Sequence, residues 1–164
     1  MSKGISLIEL LIYLAIFAGI MFVLIQIFIA FTGTRGQTES RVEVQQSQRF
    51  AVETMVQAIH RAIGVNDPVG ASLSLAMANS TLNPTVFDVS AGILRITEGA
   101  GSPANLTSDL TNVSSLTFTK ITNATTTGVA TTSVKIDFTL EYKNNSKPQL
   151  KYSKNVVTTA IIKP

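Results

Sequence analysis

The feature that most constrains this chain is a long stretch without charge close to its start. No Asp, Glu, Lys or Arg occurs between Glu9 and Arg35, and residues 10–31 form an almost continuous apolar run. As a helix rising about 1.5 Å per residue, this run is about 33 Å long, and the hydrocarbon core of a membrane is about 30 Å thick. The sequence therefore predicts a membrane-spanning helix.

A secretory signal and a buried core helix both fit the apolar run less well. A cleaved secretory signal has an apolar core of about 7–15 residues followed by a small-residue cleavage site. This run is longer, and Thr32-Gly33-Thr34 match such a site poorly. A chain of 164 residues rarely buries a helix that is apolar on every side.

The rest of the composition excludes several classes of protein. Charged residues make up 14% of the 164 residues, compared with about 25% in ordinary globular chains, and the polar remainder is rich in Ser, Thr and Asn. This composition argues against a disordered polyampholyte and against a strongly basic nucleic-acid tail. Because the chain has no cysteine, disulfides, a thiolate nucleophile and Cys-ligated zinc are excluded.

The charges around the run predict its orientation and single out one carboxylate. Lys3 precedes the run, so the positive-inside rule places the N-terminus in the cytoplasm, although Arg35 and Arg41 flank the other end. Glu9 lies inside the apolar stretch that begins at Ile5. Either its carboxylate reaches the headgroups, or it has a specific partner such as an amine.

The N-terminal motif resembles the processing signal of type IV pilins and of the pseudopilins of type II secretion and competence systems. It reads Lys3-Gly4-Ile5-Ser6-Leu7-Ile8-Glu9-Leu10-Leu11 and leads into the apolar run. The resemblance implies that a membrane-bound prepilin peptidase cleaves between Gly4 and Ile5. It also implies that the new amine of Ile5 is N-methylated and that Glu9 pairs with the Ile5 amine of a neighbouring subunit during assembly.

Two departures from the family pattern favour a minor subunit over a major one. Ile5 follows the cut where major pilins most often have Phe, and Gln26 stands where many of them have a helix-breaking Pro. Two other segments, Val113–Phe118 and Gln48–Ala62, look like those of J-type minor pseudopilins and W-type minor pilins.

Apolar residues at helical spacing predict that the helix continues beyond the membrane. The stripe consists of Val52, Met55, Val56, Ile59, Ala62 and Ile63. We predict one helix from about Ile5 to about Ile63, stopped by Gly64 and Asn66-Asp67-Pro68. The alternative is a helix that ends at the membrane surface, where Gly33 and Gly36 weaken it.

The remainder of the chain predicts an α+β head with an antiparallel sheet. Residues 65–84 read as a loop with at most a short helix, and residues 85–89 and 92–97 as a hairpin. Further strands are expected at 114–122, 133–143 and 150–160, the last two joined through residues 144–147. Leu116, Phe118 and Ile121 are expected on one face of their strand, and the 52–63 stripe is expected to cover the apolar face of the sheet.

These patterns divide the chain into four parts. We predict a leader peptide at residues 1–4, a transmembrane helix at 5–31, an amphipathic continuation of the helix at 32–64 and a β-rich globular head at 65–164.

The residues that usually carry chemistry do not form a recognisable constellation. His60 is the single histidine, and the four aspartates, at positions 67, 88, 109 and 137, are dispersed. There is no P-loop and no EF-hand motif. We therefore expect no enzyme, no catalytic residues, no cofactor and no metal site. Six lysines near the C-terminus favour a sheet whose polar face and edge are protected by charge from pairing with other chains. DNA contact is the alternative.

The resemblance implies a structural role. The expected protein is a minor pilin or pseudopilin that enters or initiates a pilus or a secretion pseudopilus. It would cross the bacterial inner membrane once, with its head exported. The expected partners are other pilin or pseudopilin subunits, the prepilin peptidase, membrane lipid and the inner-membrane assembly platform. The alternatives are a membrane-anchored binding domain that does not polymerise and a competence pseudopilin that contacts DNA.

Overall fold

The computed structural model describes residues 7–67, 69–124, 130–143 and 151–163. The chain divides into two compact units, Met1–Thr38 and Glu39–Pro164. The predicted leader at residues 1–4 and the predicted connection at 144–147 lie outside the described residues, and the four-part division of the chain stays a prediction.

One helix, α1, spans Leu7–Arg61. This confirms the predicted continuous helix and excludes one that ends at Phe31. Nearly half of its residues are good helix formers, such as Leu, Ala, Gln, Glu and Arg. The helix ends two residues before the predicted Ile63, because Ala62 already belongs to the first strand.

The strands form two antiparallel sheets, which confirms the α+β class. The five-stranded sheet has the order β1-β2-β3-β4-β5, and the three-stranded sheet has the order β6-β7-β8. The strands are β1 Ala62–Asn66, β2 Leu73–Met77, β3 Thr85–Ser90, β4 Ile93–Glu98, β5 Ala104–Asn105, β6 Thr111–Ala124, β7 Ala130–Tyr142 and β8 Ser153–Ile161. Each strand pairs with its neighbour in sequence, so both sheets are simple meanders.

The prediction of a loop over residues 65–84 is wrong. The segment contains the end of β1, all of β2 and a 3-10 helix at Ser80–Leu82. Leu73, Leu75 and Met77 alternate with Ser and Ala, and these three side chains are buried. Small residues have weak strand propensity, and the ladders to β1 and β3 compensate for it.

The predicted hairpin around Ser90-Ala91-Gly92 is confirmed. Ser90 pairs with Ile93, and the two residues between them have φ angles of 52° at Ala91 and 77° at Gly92. Two positive φ values are typical of the type I′ turn, whose twist matches that of the flanking strands.

Within the unit Glu39–Pro164, α1 contributes one face to a core shared with both sheets. Its buried apolar residues are Val44, Ala51, Met55, Ala58 and Ile59. They pack in one cluster with strand residues that include Phe87, Leu94, Ile136 and Phe138.

The predicted 52–63 stripe was therefore only partly correct. Val52 and Val56 are half-buried at its margin, and Ile63 is 67% exposed. Ile63 lies at an irregularity of β1, between Ala62 and Gly64, and so leaves the helical face.

The faces of β6 differ from the prediction at one position. Phe118 is buried and Leu116 half-buried, as expected, but Ile121 is exposed. Strand geometry alternates strictly, so Lys120 takes the core-facing position instead of Ile121. On β7 the alternate residues Val134, Ile136, Phe138 and Leu140 are all fully buried.

Candidate functional site

The first candidate site is the apolar part of α1. Residues Leu7–Phe31 form a helix long and apolar enough to cross a membrane. Its 25 residues correspond to about 37 Å, which exceeds the thickness of a hydrocarbon core. None of its most apolar window is buried. These side chains are therefore available to lipid or to other helices.

Glu9 is the one charged residue in this span, and the structure places it in the first turn of α1. A carboxylate there interacts favourably with the helix dipole. The hydroxyl of Tyr13, one turn further on, donates a hydrogen bond to Glu9 Oε1 at 3.2 Å. This contact satisfies part of the carboxylate's acceptor capacity within its own helix, and Glu9 remains exposed.

The predicted cleavage and methylation residues, Gly4 and Ile5, lie outside the described residues. Both stay predictions. The spacing between Ile5 and Glu9 is nevertheless one helical turn by sequence, so the two positions would share a face if the helix extended that far.

In the head, Lys120 makes an ion pair that sequence reasoning missed. Its Nζ donates to Asp67 Oδ2 at 2.9 Å and to the carbonyl oxygen of Val65 at 3.3 Å. The ammonium thereby joins the three-stranded sheet to the end of β1. The sequence signal that could have revealed this ion pair was Lys120 itself, because it stands at a core-facing position of β6 where the alternation is otherwise apolar.

A second ion pair lies across the β3–β4 hairpin. Asp88 is directly opposite Arg95, which donates from Nε at 3.1 Å and from Nη2 at 2.8 Å. The hydrogen bonds from Arg95 to Asp88, reinforced by the carboxylate's charge, raise the pKa of Arg95. Such a bidentate cross-strand pair fixes the register of the two strands, which is a structural role and not a catalytic one.

The other titratable residues do not converge in the part of the chain that the structure describes. His60 is exposed on α1. Among the described residues, no three His, Cys, Asp or Glu side chains lie close enough to hold a metal ion.

The C-terminal lysines fall at several places in the head. Lys135 points to the outer face of β7, while Lys154 lies on the inner side of β8, because it is opposite the buried Leu140. Lys143 and Lys151 line a cavity of about 400 Å³ together with Tyr142 and Tyr152. The described lysines therefore do not form one continuous basic face.

Comparisons with known proteins add no assignment. No family model matches the chain, and neither the curated proteins nor the solved structures contain a match to it. The arrangement of an N-terminal apolar helix followed by antiparallel sheets is compatible with a pilin-like fold.

Proposed function

We propose that this chain is a minor subunit of a type IV pilin-like fibre. The observation that carries the proposal is Glu9, a carboxylate in the first turn of an otherwise uncharged helix able to span a membrane. It stands five residues after the predicted cut, the position where the pilin family has its glutamate.

The physical role of Glu9 follows from its surroundings. A carboxylate taken from water into an apolar bundle is strongly disfavoured unless a cation and hydrogen bonds compensate. Tyr13 supplies one hydrogen bond and no charge. An amine at Ile5 of a neighbouring subunit would supply the charge, and it would set the register between two helices. Methylation of this amine would preserve the charge.

The head supports the same proposal less specifically. Helix residues Val44–Ile59 share a core with antiparallel sheets, which suits a subunit whose helix also joins a fibre. The minor class is favoured by Ile5 and Gln26, and the J-type pseudopilins and W-type pilins remain the classes that this chain resembles. Its partners would be other subunits, the prepilin peptidase and the assembly platform of the bacterial inner membrane.

Mass spectrometry of the mature N-terminus from native membranes tests the processing step. We expect a chain that begins at Ile5, with or without a methyl group on its amine. A chain that begins at Met1 or Ser2 would contradict the pilin proposal and would favour a membrane-anchored binding domain that does not polymerise.

Replacement of Glu9 tests the assembly step. Glu9→Ala should insert into the membrane normally but assemble poorly, since losing one partner of a desolvated ion pair costs about 3–5 kcal/mol. Sheared fibres measured by immunoblotting provide the readout. Glu39→Ala is the matched control, because Glu39 is an exposed carboxylate of α1 outside the apolar span. Normal fibres from Glu9→Ala would exclude the pairing role.

A further inference from the structure

The two edges of the three-stranded sheet differ in how their backbone groups are used. The β6 edge is irregular between Val113 and Ser115, and its amides donate to the five-stranded part of the head. Phe118 N–H bonds the Gly70 carbonyl at 2.7 Å, and Val113 N–H bonds the Gly92 carbonyl at 2.8 Å. The β8 edge pairs with β7 over nine residues without a bulge.

The ladder identifies which backbone groups of β8 point away from β7. Tyr142 N–H donates to the Tyr152 carbonyl at 2.8 Å, and Ile162 N–H donates to the Thr132 carbonyl at 2.9 Å. In an antiparallel pair such residues alternate, so the even-numbered residues of β8 bond β7 and the odd-numbered ones face outward. The outward residues are Ser153, Asn155, Val157, Thr159 and Ile161, and all five are exposed.

A groove of about 780 Å³ runs beside this edge, between β8 and the part of α1 that belongs to the head. Val52 and Val56 contribute to its apolar lining. Lys154 and Arg49 provide two cations and Glu53 one carboxylate, and neither cation is within ion-pair distance of a carboxylate in the described part of the head. The groove therefore combines an apolar lining with a net positive charge.

Gln48 lines the same groove and adds an unsatisfied group. Its Oε1 atom is buried and has no hydrogen-bond donor among the described residues. Buried side-chain oxygens in native proteins almost always accept a hydrogen bond. A donor from outside the chain would complete this site.

We propose that the β8 edge and this groove bind an extended strand of another polypeptide. The strand would pair with the outward amides and carbonyls of β8, a mode known as β-augmentation. Side chains on its groove side would pack on Val52 and Val56, donate a hydrogen bond to Gln48 and place a carboxylate near Arg49 and Lys154. The outward N–H and C=O groups of β8 repeat at every second residue. An extended backbone supplies donors and acceptors at the same spacing.

The charges favour a different polypeptide over the β8 strand of a second copy. Lys154 is the one charged residue in Ser153–Ile161. A second β8 would bring another lysine to a groove that already contains Arg49 and Lys154. The inference depends on head residues alone and stands whether or not the chain assembles into a pilin-like fibre.

The test is a strand supplied within the same chain. The full chain is purified in detergent micelles with a C-terminal extension, a flexible Gly-Ser linker followed by the strand Thr-Val-Glu-Val-Thr-Val-Thr. The linker holds the strand at an effective concentration in the millimolar range. We expect amide exchange at Asn155, Val157 and Thr159 to slow at least tenfold. An extension with proline at alternate strand positions should leave the exchange unchanged.

Two substitutions make the test specific for the edge. Val157→Pro removes an outward N–H that β7 does not use, and Val157→Lys places a charge at the same edge position should the proline variant unfold. Each should abolish the protection of Asn155 and Thr159. Thr119→Lys is the control, because Thr119 is exposed on β6, away from this edge. Changing the strand's Glu to Lys should weaken protection if Arg49 and Lys154 attract a carboxylate.

Three results would overturn the proposal. Exchange could stay unchanged with the strand attached, or the proline-containing extension could protect the edge equally. A parent chain that dimerises in micelles and becomes monomeric only in Val157→Lys would assign the edge to a second copy instead. None of these results depends on cleavage at Gly4 or on Glu9.

Discussion

Lys120 occupies a core-facing position of β6, directly opposite the fully buried Val134. Its long stem covers apolar surface while its ammonium reaches Asp67 and the Val65 carbonyl. Asp67 is 68% exposed, so water screens the ion pair strongly. Packing of the lysine stem should therefore matter at least as much as its charge.

Lys120→Met tests this balance. Methionine retains most of the apolar stem, and the lost pair is largely exposed, so we expect a loss of at most about 1 kcal/mol in unfolding free energy. Lys120→Ala, which also removes the stem, should cost more. Denaturant unfolding of both variants in detergent gives the comparison. Equal losses would mean that the ammonium, and not the stem, carries the contribution.

Gly99 follows β4 in a conformation that side chains disfavour. Its φ is +54°, and an added Cβ would meet the backbone carbonyl of Thr81. The Gly99 N–H also donates to the Pro84 carbonyl at 2.9 Å, which holds the residue in place. A side chain here cannot avoid the contact by rotating.

Gly99→Ala should therefore destabilise the head by about 1–3 kcal/mol, as expected for a residue forced into a sparsely populated conformation. Gly70→Ala is the control, since an added Cβ there meets nothing within 4 Å. Thermal unfolding of the two variants measures the difference. A Gly99→Ala chain as stable as Gly70→Ala would show that the loop relaxes around the new side chain.

At the scale of the element, α1 shows which helical face the core uses. Met55 and Ile59 are fully buried, whereas Phe50 is 56% exposed. The sequence pattern included Val52 and Ile63 in the stripe together with Met55 and Ile59, because it counted every apolar residue equally. Ala51 and Ala58 also lie at the buried face of α1 and allow close packing against the strands.

The position of this face can be measured by truncating one residue on each side. Met55→Ala should lower the unfolding free energy by about 2–5 kcal/mol, because it leaves a cavity in a packed core. Phe50→Ala removes a larger but exposed side chain and should change it by at most about 0.5 kcal/mol. Similar losses in the two variants would contradict the packing of this face of α1 against the sheets.

Across the whole chain, the two compact units differ in whether their apolar side chains are buried or exposed. Residues 39–164 contain a core shared by helix and sheets, whereas Leu7–Phe31 exposes nearly all of its apolar side chains. Such a surface is compatible with a lipid environment or with a bundle of similar helices, and it is unfavourable in water.

A charge in the middle of the apolar span should weaken membrane attachment more than one at its end. Ile20→Lys is near the centre of Leu7–Phe31 and should cost about 2.5–3.5 kcal/mol on insertion, whereas Leu7→Lys at the end should cost far less. Alkaline carbonate extraction of vesicles provides the measurement. If both lysine variants were retained as firmly as the parent chain, the span would not be inserted across the hydrocarbon core.

Elements whose signals are local could be predicted from the amino-acid sequence. The long helix, the β3–β4 hairpin and strands β6 to β8 follow from apolar periodicity and from turn residues, which depend on near neighbours in the chain. Glu9 also stood out without a structure, because one carboxylate in an apolar run is conspicuous. The hydrogen bond that Tyr13 donates to Glu9 is seen only in the structure, although the four-residue spacing permits it.

Features that depend on residues distant in the chain are visible only in the folded structure. β1 and β2 form strands because neighbouring strands pair with them, although their own residues favour strands weakly. Lys120, and not Ile121, lies on the core-facing side of β6, because its ammonium pairs with Asp67 more than fifty residues away in the chain. The outward backbone groups of β8, and the Gln48 oxygen that has no donor among the described residues, likewise become apparent only when α1 and the sheet are brought together. Burial and hydrogen bonding depend on which residues surround a side chain in the folded protein, and a linear sequence pattern does not contain this information.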